Sequence, residues 1–143
     1  MKTLFGTYIT GKKVQVDTAN TEKDTVYEMV LKYRILPDIL VEKLAPIVIR
    51  AVDKFKGDIQ VKFIGIDTTN NKLIIQFKDM QSPVPLKTIQ FAITAALAGI
   101  GIFVTLEAIY KITSVATGGA ASGFLDLKTI IIIIIILMLL SRR

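Results

Sequence analysis

The residues best suited to acid–base chemistry are two pairs of carboxylates spaced four residues apart, Asp24 with Glu28 and Asp38 with Glu42. On a helix this spacing places both carboxylates of a pair on one face, where they could share a proton or bind a hard cation. The chain has no histidine and no cysteine, which removes the usual general base, the thiolate nucleophile and most transition-metal sites. We therefore interpret both pairs as solvated surface carboxylates, and we predict a protein that is not an enzyme and binds no metal or cofactor.

Two further features could bind anions. The glycine-rich segment TGGAASG at 117–123 lacks the lysine and the strand-to-helix context of a phosphate-binding loop. Lys43, Arg50 and Lys54 are spaced to lie on one face of a helix, where they could contact lipid headgroups or nucleic-acid phosphates. The net charge of +6 suits either anion, and an ordinary solvated face is the favoured interpretation. Nucleic acid stays open as a less favoured partner.

The first 80 residues carry the signals of a small α+β domain. Alternating residues around Gly11 indicate a β-hairpin, and the spacing of Val26, Met29, Val30 and Tyr33 indicates one face of a helix. In chain order the predicted elements are a β-hairpin with strands 4–10 and 14–17, a helix over 21–36, a bent helix that begins at Asp38 and is closed by Gly57 as its C-cap, and a second β-hairpin with strands 59–66 and 73–78 joined by a turn at Asn70 and Asn71.

The second predicted helix has the clearest periodicity. At 100° per residue its apolar side chains fall within one arc, with the three cations opposite. The apolar set is Leu40, Leu44, Val48, Ala51, Val52 and Phe55. Pro46 projects to the polar side, where water can satisfy the carbonyl that a proline frees, so the pattern predicts one continuous helix.

The segment at 81–87 contains Pro83 and Pro85 and predicts an extended linker. From Thr88 to Leu106 there is no charged residue, and as a helix this stretch would be about 28 Å long, close to the thickness of a bilayer core. We predict a transmembrane helix over 88–110, with Tyr110 and Lys111 as interfacial anchors. A buried helix of a globular protein is disfavoured because an 80-residue domain has no core large enough to enclose it.

The C-terminus has seven consecutive isoleucines at 130–136, four more large apolar residues, a serine and two arginines. Residues 129–140 alone would form a helix of about 18 Å, too short to cross a bilayer. Extension to 124–141 gives a second span, anchored by Lys128, Arg142 and Arg143 and separated from the first span by a flexible connector at 113–123. A half-inserted hairpin and an exposed strand are the alternatives.

Four small residues, Ala92, Ala95, Ala96 and Gly99, fall close to one face of the first predicted span. Small residues allow two helices to approach closely, and such contacts drive helix association in membranes. The pattern predicts a helix–helix packing site, although alanine and glycine are also common in membrane helices.

Together these features predict a small N-terminal α+β domain over 1–80, a linker over 81–87 and a two-helix transmembrane hairpin over 88–143. The balance of flanking cations places the domain and the C-terminus in the cytoplasm, with a virion membrane as the alternative setting. The predicted function is a non-enzymatic integral membrane structural or anchoring subunit, whose partners are the lipid bilayer and either further copies of the chain or membrane and coat proteins. A holin-like permeabilising protein and a membrane-tethered nucleic-acid-binding protein are the alternatives.

Overall fold

The computed structural model describes residues 1–16, 20–55, 58–81, 83–113, 132 and 134–141. Its elements form a six-stranded antiparallel sheet with strand order β1-β4-β5-β3-β6-β2 and two packed helices. The bounds are β1 Lys2–Gly6, β2 Lys12–Gln15, β3 Val26–Tyr33, α1 Asp38–Asp53, β4 Ile59–Asp67, β5 Lys72–Asp79, α2 Leu86–Ala98 and β6 Val104–Thr113.

The elements from β3 to β6 follow each other as β-α-β-β-α-β, with the central strand order β4-β5-β3-β6. This is the split β-α-β arrangement, also called ferredoxin-like. Strands β1 and β2 extend it at its two edges. The arrangement hosts many unrelated functions, so function must be argued from particular sites.

The core lies between the sheet and the two helices. Met29 of β3 is the ladder partner of Ile75 in β5 and of Ile109 in β6, and these three side chains share one buried cluster with Val48 of α1 and Ile93 of α2. Helix α1 runs unbroken through the exposed Pro46. The predicted apolar arc of α1 is buried or half-buried, so the prediction of this helix is confirmed.

The second β-hairpin is also confirmed, as β4 and β5. Its turn has Asn71 in the left-handed region at φ 55°, as its residue type allows. The Asp67 carboxylate closes the turn by accepting hydrogen bonds from the backbone N–H groups of Thr69 and Asn70 and from the Asn70 side chain. Local turn chemistry therefore fixes this connection.

The predicted N-terminal hairpin is wrong in its pairing. Strand β1 pairs with β4 at one edge of the sheet, and β2 pairs with β6 at the other. Residues 7–11, which we call the crossing segment, pass over the sheet between them. The side chain of Gln76 holds this segment by two hydrogen bonds to the backbone of Ile9. Long-range pairing has therefore replaced the local turn.

The predicted helix over 21–36 is wrong, because residues 26–33 form the central strand β3. Seven of its eight residues are buried, and only Lys32 is exposed. A strand covered on both faces has a nearly continuous apolar sequence, which cannot be distinguished from a buried helix by periodicity. The helices cover one face of β3, and the crossing segment lies over the other.

The predicted transmembrane helix over 88–110 is also wrong. Helix α2 ends at Ala98, the chain turns through Gly101 at φ 85°, and β6 begins at Val104. The uncharged stretch is thus a short helix followed by a strand. Leu86, Ile89, Ile93 and Leu97 bury one side of α2 against the sheet. The domain can enclose this helix because α2 and β6 are themselves part of its core.

Of the second predicted span over 124–141, residues 124–131 and 133 lie outside the described residues, as does the predicted connector beyond Thr113. Residues 134–141 form a C-terminal helix about 12 Å long. Among the parts of the chain that the structure describes, no helix has the length and apolar character needed to cross a membrane. The predicted fold class with a transmembrane hairpin, and the localisation as an integral membrane protein with domain and C-terminus on the cytoplasmic side, are therefore wrong.

Candidate interaction surface

A buried polar network joins the crossing segment to the sheet. The Glu28 side chain, 2% exposed, forms an ion pair with Lys13, with 2.7 Å between Nζ and Oε2. Its Oε1 atom accepts hydrogen bonds from the Tyr8 hydroxyl at 2.7 Å and from Nε2 of Gln76 at 3.1 Å. Each polar side chain in this network has a partner, so the network fixes the crossing segment in one position.

The described structure buries two carboxylates, Glu28 and Asp79, and this network accounts for Glu28 as a structural group. The Glu28 carboxylate already has three donors and lies beneath the crossing segment, so it is not free to act on a substrate. Asp24 lies in a turn at φ 63° and Glu28 in β3, so this predicted pair does not share a helix face. Within the described ranges, no group of three His, Cys, Asp or Glu side chains could hold a metal ion.

The network should make stability depend on pH in the alkaline range. Burial lowers the pKa of Lys13, but its hydrogen bonds to Glu28 and Tyr8 raise it by more, so the net pKa lies above 10.5. Burial also raises the pKa of Tyr8 above 10.0. A raised pKa in the folded state gives stability that is present below the unfolded-state pKa and is lost as pH rises through the folded-state pKa. We expect the free energy of unfolding to fall above about pH 10.

Urea unfolding at a series of pH values would measure this effect, with Lys13→Met as the comparison. The variant should lose part of the alkaline decline, because its side chain cannot titrate. A wild-type unfolding midpoint that stays constant up to about pH 11.5 would contradict the assigned pKa shifts.

A groove of about 380 Å³ lies beside the crossing segment and is lined partly by Glu28, Asp67, Lys72 and Glu107. Two of its three carboxylates have a cation within the chain, because Lys72 pairs with Glu107 at 3.3 Å and Glu28 pairs with Lys13. The third, Asp67, accepts the hydrogen bonds that close its turn. The groove therefore presents one carboxylate that is already occupied by local hydrogen bonds.

The predicted packing residues lie on α2 and at its C-cap, partly facing solvent and partly facing α1. Ala95 and Gly99 are exposed, and Ala92 and Ala96 are half-buried. Ala96 and Gly99 line a groove of about 320 Å³ between the two helices, opposite Ala51 of α1. The small side chains thus lie where two helices meet within one domain. Whether they also receive another chain stays a prediction.

The predicted cations lie on α1. Lys43, Arg50 and Lys54 are all exposed, and Arg50 and Lys54 line the same groove between α1 and α2. Among the described residues, none of the three has a carboxylate within 4.0 Å. Asp38 and Glu42 are exposed in the first turns of α1. The basic residues are thus spread along one helix, and two of them flank an apolar groove.

The predicted membrane anchors are not at a helix end. Tyr110 and Lys111 both lie in strand β6. Tyr110 is the ladder partner of Glu28, and Lys111 forms an ion pair with Glu22 at 2.7 Å. Lys128, Arg142 and Arg143 lie outside the described residues.

One end of the domain has an exposed apolar surface that sequence reasoning missed. Two loops meet there, 34–37 between β3 and α1 and 99–103 between α2 and β6, and a cavity of about 420 Å³ is lined by Arg34, Ile35, Pro37, Gly101 and Phe103. Ile35 is 77% exposed and Phe103 is 70% exposed. Ile39, 78% exposed, follows in the first turn of α1. We call Ile35, Pro37, Ile39 and Phe103 the apolar rim.

The C-terminal helix is the second exposed apolar surface. All seven side chains of residues 134–140 are large and apolar, and their exposed fractions lie between 49% and 58%. A helix that packs on its own domain buries one face and exposes the other, but here the exposure is uniform around the axis. No described part of the chain covers any face of it.

Comparison with known protein families, with characterised proteins and with solved structures finds no match. The site must therefore be judged from its own chemistry. Large exposed apolar patches on folded proteins mark interaction surfaces. The sequence does place bulky apolar residues beside the loop-forming Pro37 and Gly101. It does not show that the side chains of these apolar residues are exposed.

Proposed function

We propose that this chain is a non-enzymatic, self-associating protein in which the C-terminal helix links copies of the folded domain. The uniform exposure of residues 134–140 carries this proposal. A helix that is apolar on all sides is covered either by other protein surfaces or by lipid. Each fully buried leucine, isoleucine or methionine contributes roughly 1.5–3 kcal/mol, so seven such side chains give a strong drive for association.

Three functions predicted from the sequence are not supported. The integral membrane anchoring subunit, the holin-like permeabilising protein and the membrane-tethered nucleic-acid-binding protein all need a transmembrane hairpin. The stretch assigned to its first helix is α2 followed by β6, and no described helix could cross a membrane. Two observations favour a binding role over catalysis: the buried carboxylate of Glu28 is fully paired, and two of the three carboxylates that line the charged groove are paired with lysines.

Sedimentation velocity of the full chain over a range of concentrations tests the proposal. The wild-type protein should associate, and Ile135→Asp/Leu139→Asp should weaken association by at least about 100-fold, because burying an unpaired carboxylate is costly. Lys12→Asp with Lys23→Asp, two exposed changes far along the chain from the helix and away from the apolar rim, is the control and should associate like the wild type.

A helix variant that associates as strongly as the wild type would contradict the proposal. So would a wild-type chain that stays monomeric at every concentration and binds only to phosphatidylcholine vesicles, since lipid would then be the cover that the helix needs.

A further inference from the structure

We propose that the C-terminal helix of one copy docks on the apolar rim of a second copy, so that copies associate head to tail. This inference rests on the proposed function and names the surface that receives the helix. A contact between two different surfaces is heterologous and builds rings or open filaments rather than closed symmetric dimers.

The chemistry of the rim matches the body of the helix. Ile35, Ile39 and Phe103 are each at least 70% exposed, and the cavity between the two loops can accept apolar side chains. The helix offers isoleucine, leucine and methionine on every face. Burying both surfaces in one contact removes the exposed side chains of the helix and of the rim from water.

Charge complementarity sets the orientation. Asp38 and Glu42 flank Ile39 on α1, are exposed, and have no cation within 4.0 Å among the described residues. In the sequence, the apolar helix is followed directly by Arg142 and Arg143. A helix seated on the rim by its last turn would bring these arginines towards the two carboxylates. Arg34 also lines the cavity and would repel these arginines. They should therefore lie on the side of the rim that carries Asp38 and Glu42.

The groove between α1 and α2 is a weaker acceptor. It is also apolar, but two cations, Arg50 and Lys54, line it and no carboxylate among the described residues does, so nothing offsets their repulsion of the arginines that follow the helix. Phe91 on α2 is also exposed, but α2 contains no acidic residue that could receive the arginines. It is therefore useful as a control, because at 75% exposed it resembles Phe103 at 70%.

A second copy is favoured over the same chain because the helix does not rest on its own domain. Eighteen residues separate the end of β6 from Ile132, and a chain of that length spans up to about 60 Å when extended. This is long enough for the helix to leave its own domain and contact a neighbour.

Mixing two variants that each fail to associate tests the inference. Ile35→Lys/Phe103→Lys disables the rim and keeps the helix, whereas Ile135→Asp/Leu139→Asp disables the helix and keeps the rim. Sedimentation velocity should show each variant alone as a monomer, with association at least about 100-fold weaker than in the wild type. An equimolar mixture should form a one-to-one dimer, because one intact helix meets one intact rim. Phe91→Lys is the matched control for Phe103→Lys and should associate like the wild type.

The outcomes separate this inference from the proposed function. If the rim variant associates like the wild type while the helix variant is monomeric, the helix packs on a surface other than the rim, so the proposed function holds and this inference is wrong. If Phe91→Lys abolishes association and Phe103→Lys does not, α2 is the acceptor and the inference is wrong. A wild-type monomer whose helix is protected from proteolysis would show docking within one chain and would overturn both.

A charge swap tests the orientation. Asp38→Lys/Glu42→Lys and Arg142→Glu/Arg143→Glu should each weaken association alone. If combining the two pairs of substitutions restores association, the orientation is confirmed.

Discussion

Replacing Lys13 with methionine should lower the free energy of unfolding by about 2–3 kcal/mol, because it leaves the Glu28 carboxylate buried without its cation. The Glu28 side chain is 2% exposed, and the Lys13 side chain is 37% exposed. Fully buried pairs lose about 3–5 kcal/mol when one partner is removed, and the partial exposure of Lys13 places this pair at or below that range. Methionine keeps most of the aliphatic length, so lost packing contributes little.

Lys111→Met is the matched control. Lys111 makes an ion pair of the same length, 2.7 Å, but its partner Glu22 has a side chain that is 64% exposed. Exposed pairs contribute about 0–1 kcal/mol, so this variant should change stability little. Urea unfolding should be measured in the Ile135→Asp/Leu139→Asp background, because self-association would otherwise add to the apparent stability.

A further substitution tests the cause. In Lys13→Met/Glu28→Gln no charge is left buried, and the glutamine can still accept a hydrogen bond from Tyr8. Most of the lost stability should return. Equal losses for Lys13→Met and Lys111→Met would show that burial of Glu28 does not govern the energy of the pair.

How far the fold could be predicted depends on where the deciding contacts lie. Helix α1 and the hairpin of β4 and β5 were predictable because their signals are local: an apolar arc at helical spacing, and a turn closed by Asp67 and Asn71. Strand β3 was not predictable because both of its faces are covered, one by helices and one by the crossing segment, and the resulting apolar run carries no period. The pairing of β1 and β2 at opposite edges has no local signal at all.

The membrane prediction failed for a related reason. Hydropathy measures how much of a segment avoids water, and it does not distinguish lipid from a protein core. The stretch from Thr88 to Leu106 lacks charge because one side of α2 and part of β6 are buried in the core, while the outer side of α2 carries uncharged residues, among them Ala95 and the exposed Phe91. Gly99 and Gly101 were the local evidence against one long helix, since glycine is poorly suited to a helix interior and Gly101 adopts φ 85°.

The candidate surface was predictable only in part. Its helix could be recognised from the isoleucine run, since such a run must be covered by something. Its acceptor could not, because Ile35 and Phe103 are ordinary apolar residues in the sequence, and only the meeting of two distant loops makes them a patch. Asp38 and Glu42 were predicted to be exposed carboxylates. The sequence does not show that they lie beside an exposed apolar patch that includes Ile39.

Replacing Gly6 with alanine should destabilise the domain by about 3 kcal/mol or more, for two separate reasons. Gly6 ends β1 at φ 70°, a conformation that costs a non-glycine residue about 1 kcal/mol or more. In addition, a Cβ atom at this position would overlap the backbone carbonyl of Lys62 in β4. Backbone cannot move aside as a flexible side chain can, so β1 would have to shift away from β4. The crossing segment begins at the next residue, so this shift would also disturb the bond between Tyr8 and Glu28.

Gly101→Ala separates the two causes. Gly101 also has a positive φ, 85°, but an added Cβ would meet nothing within 4 Å. This variant should therefore lose only the backbone contribution, about 1 kcal/mol, and the difference between the two variants measures the overlap with Lys62. Urea unfolding in the non-associating background gives both values, and amide hydrogen exchange should show protection lost first in β1 and the crossing segment for Gly6→Ala. Equal losses for the two variants would mean that β1 adjusts without cost, and that its pairing with β4 does not hold the crossing segment in place.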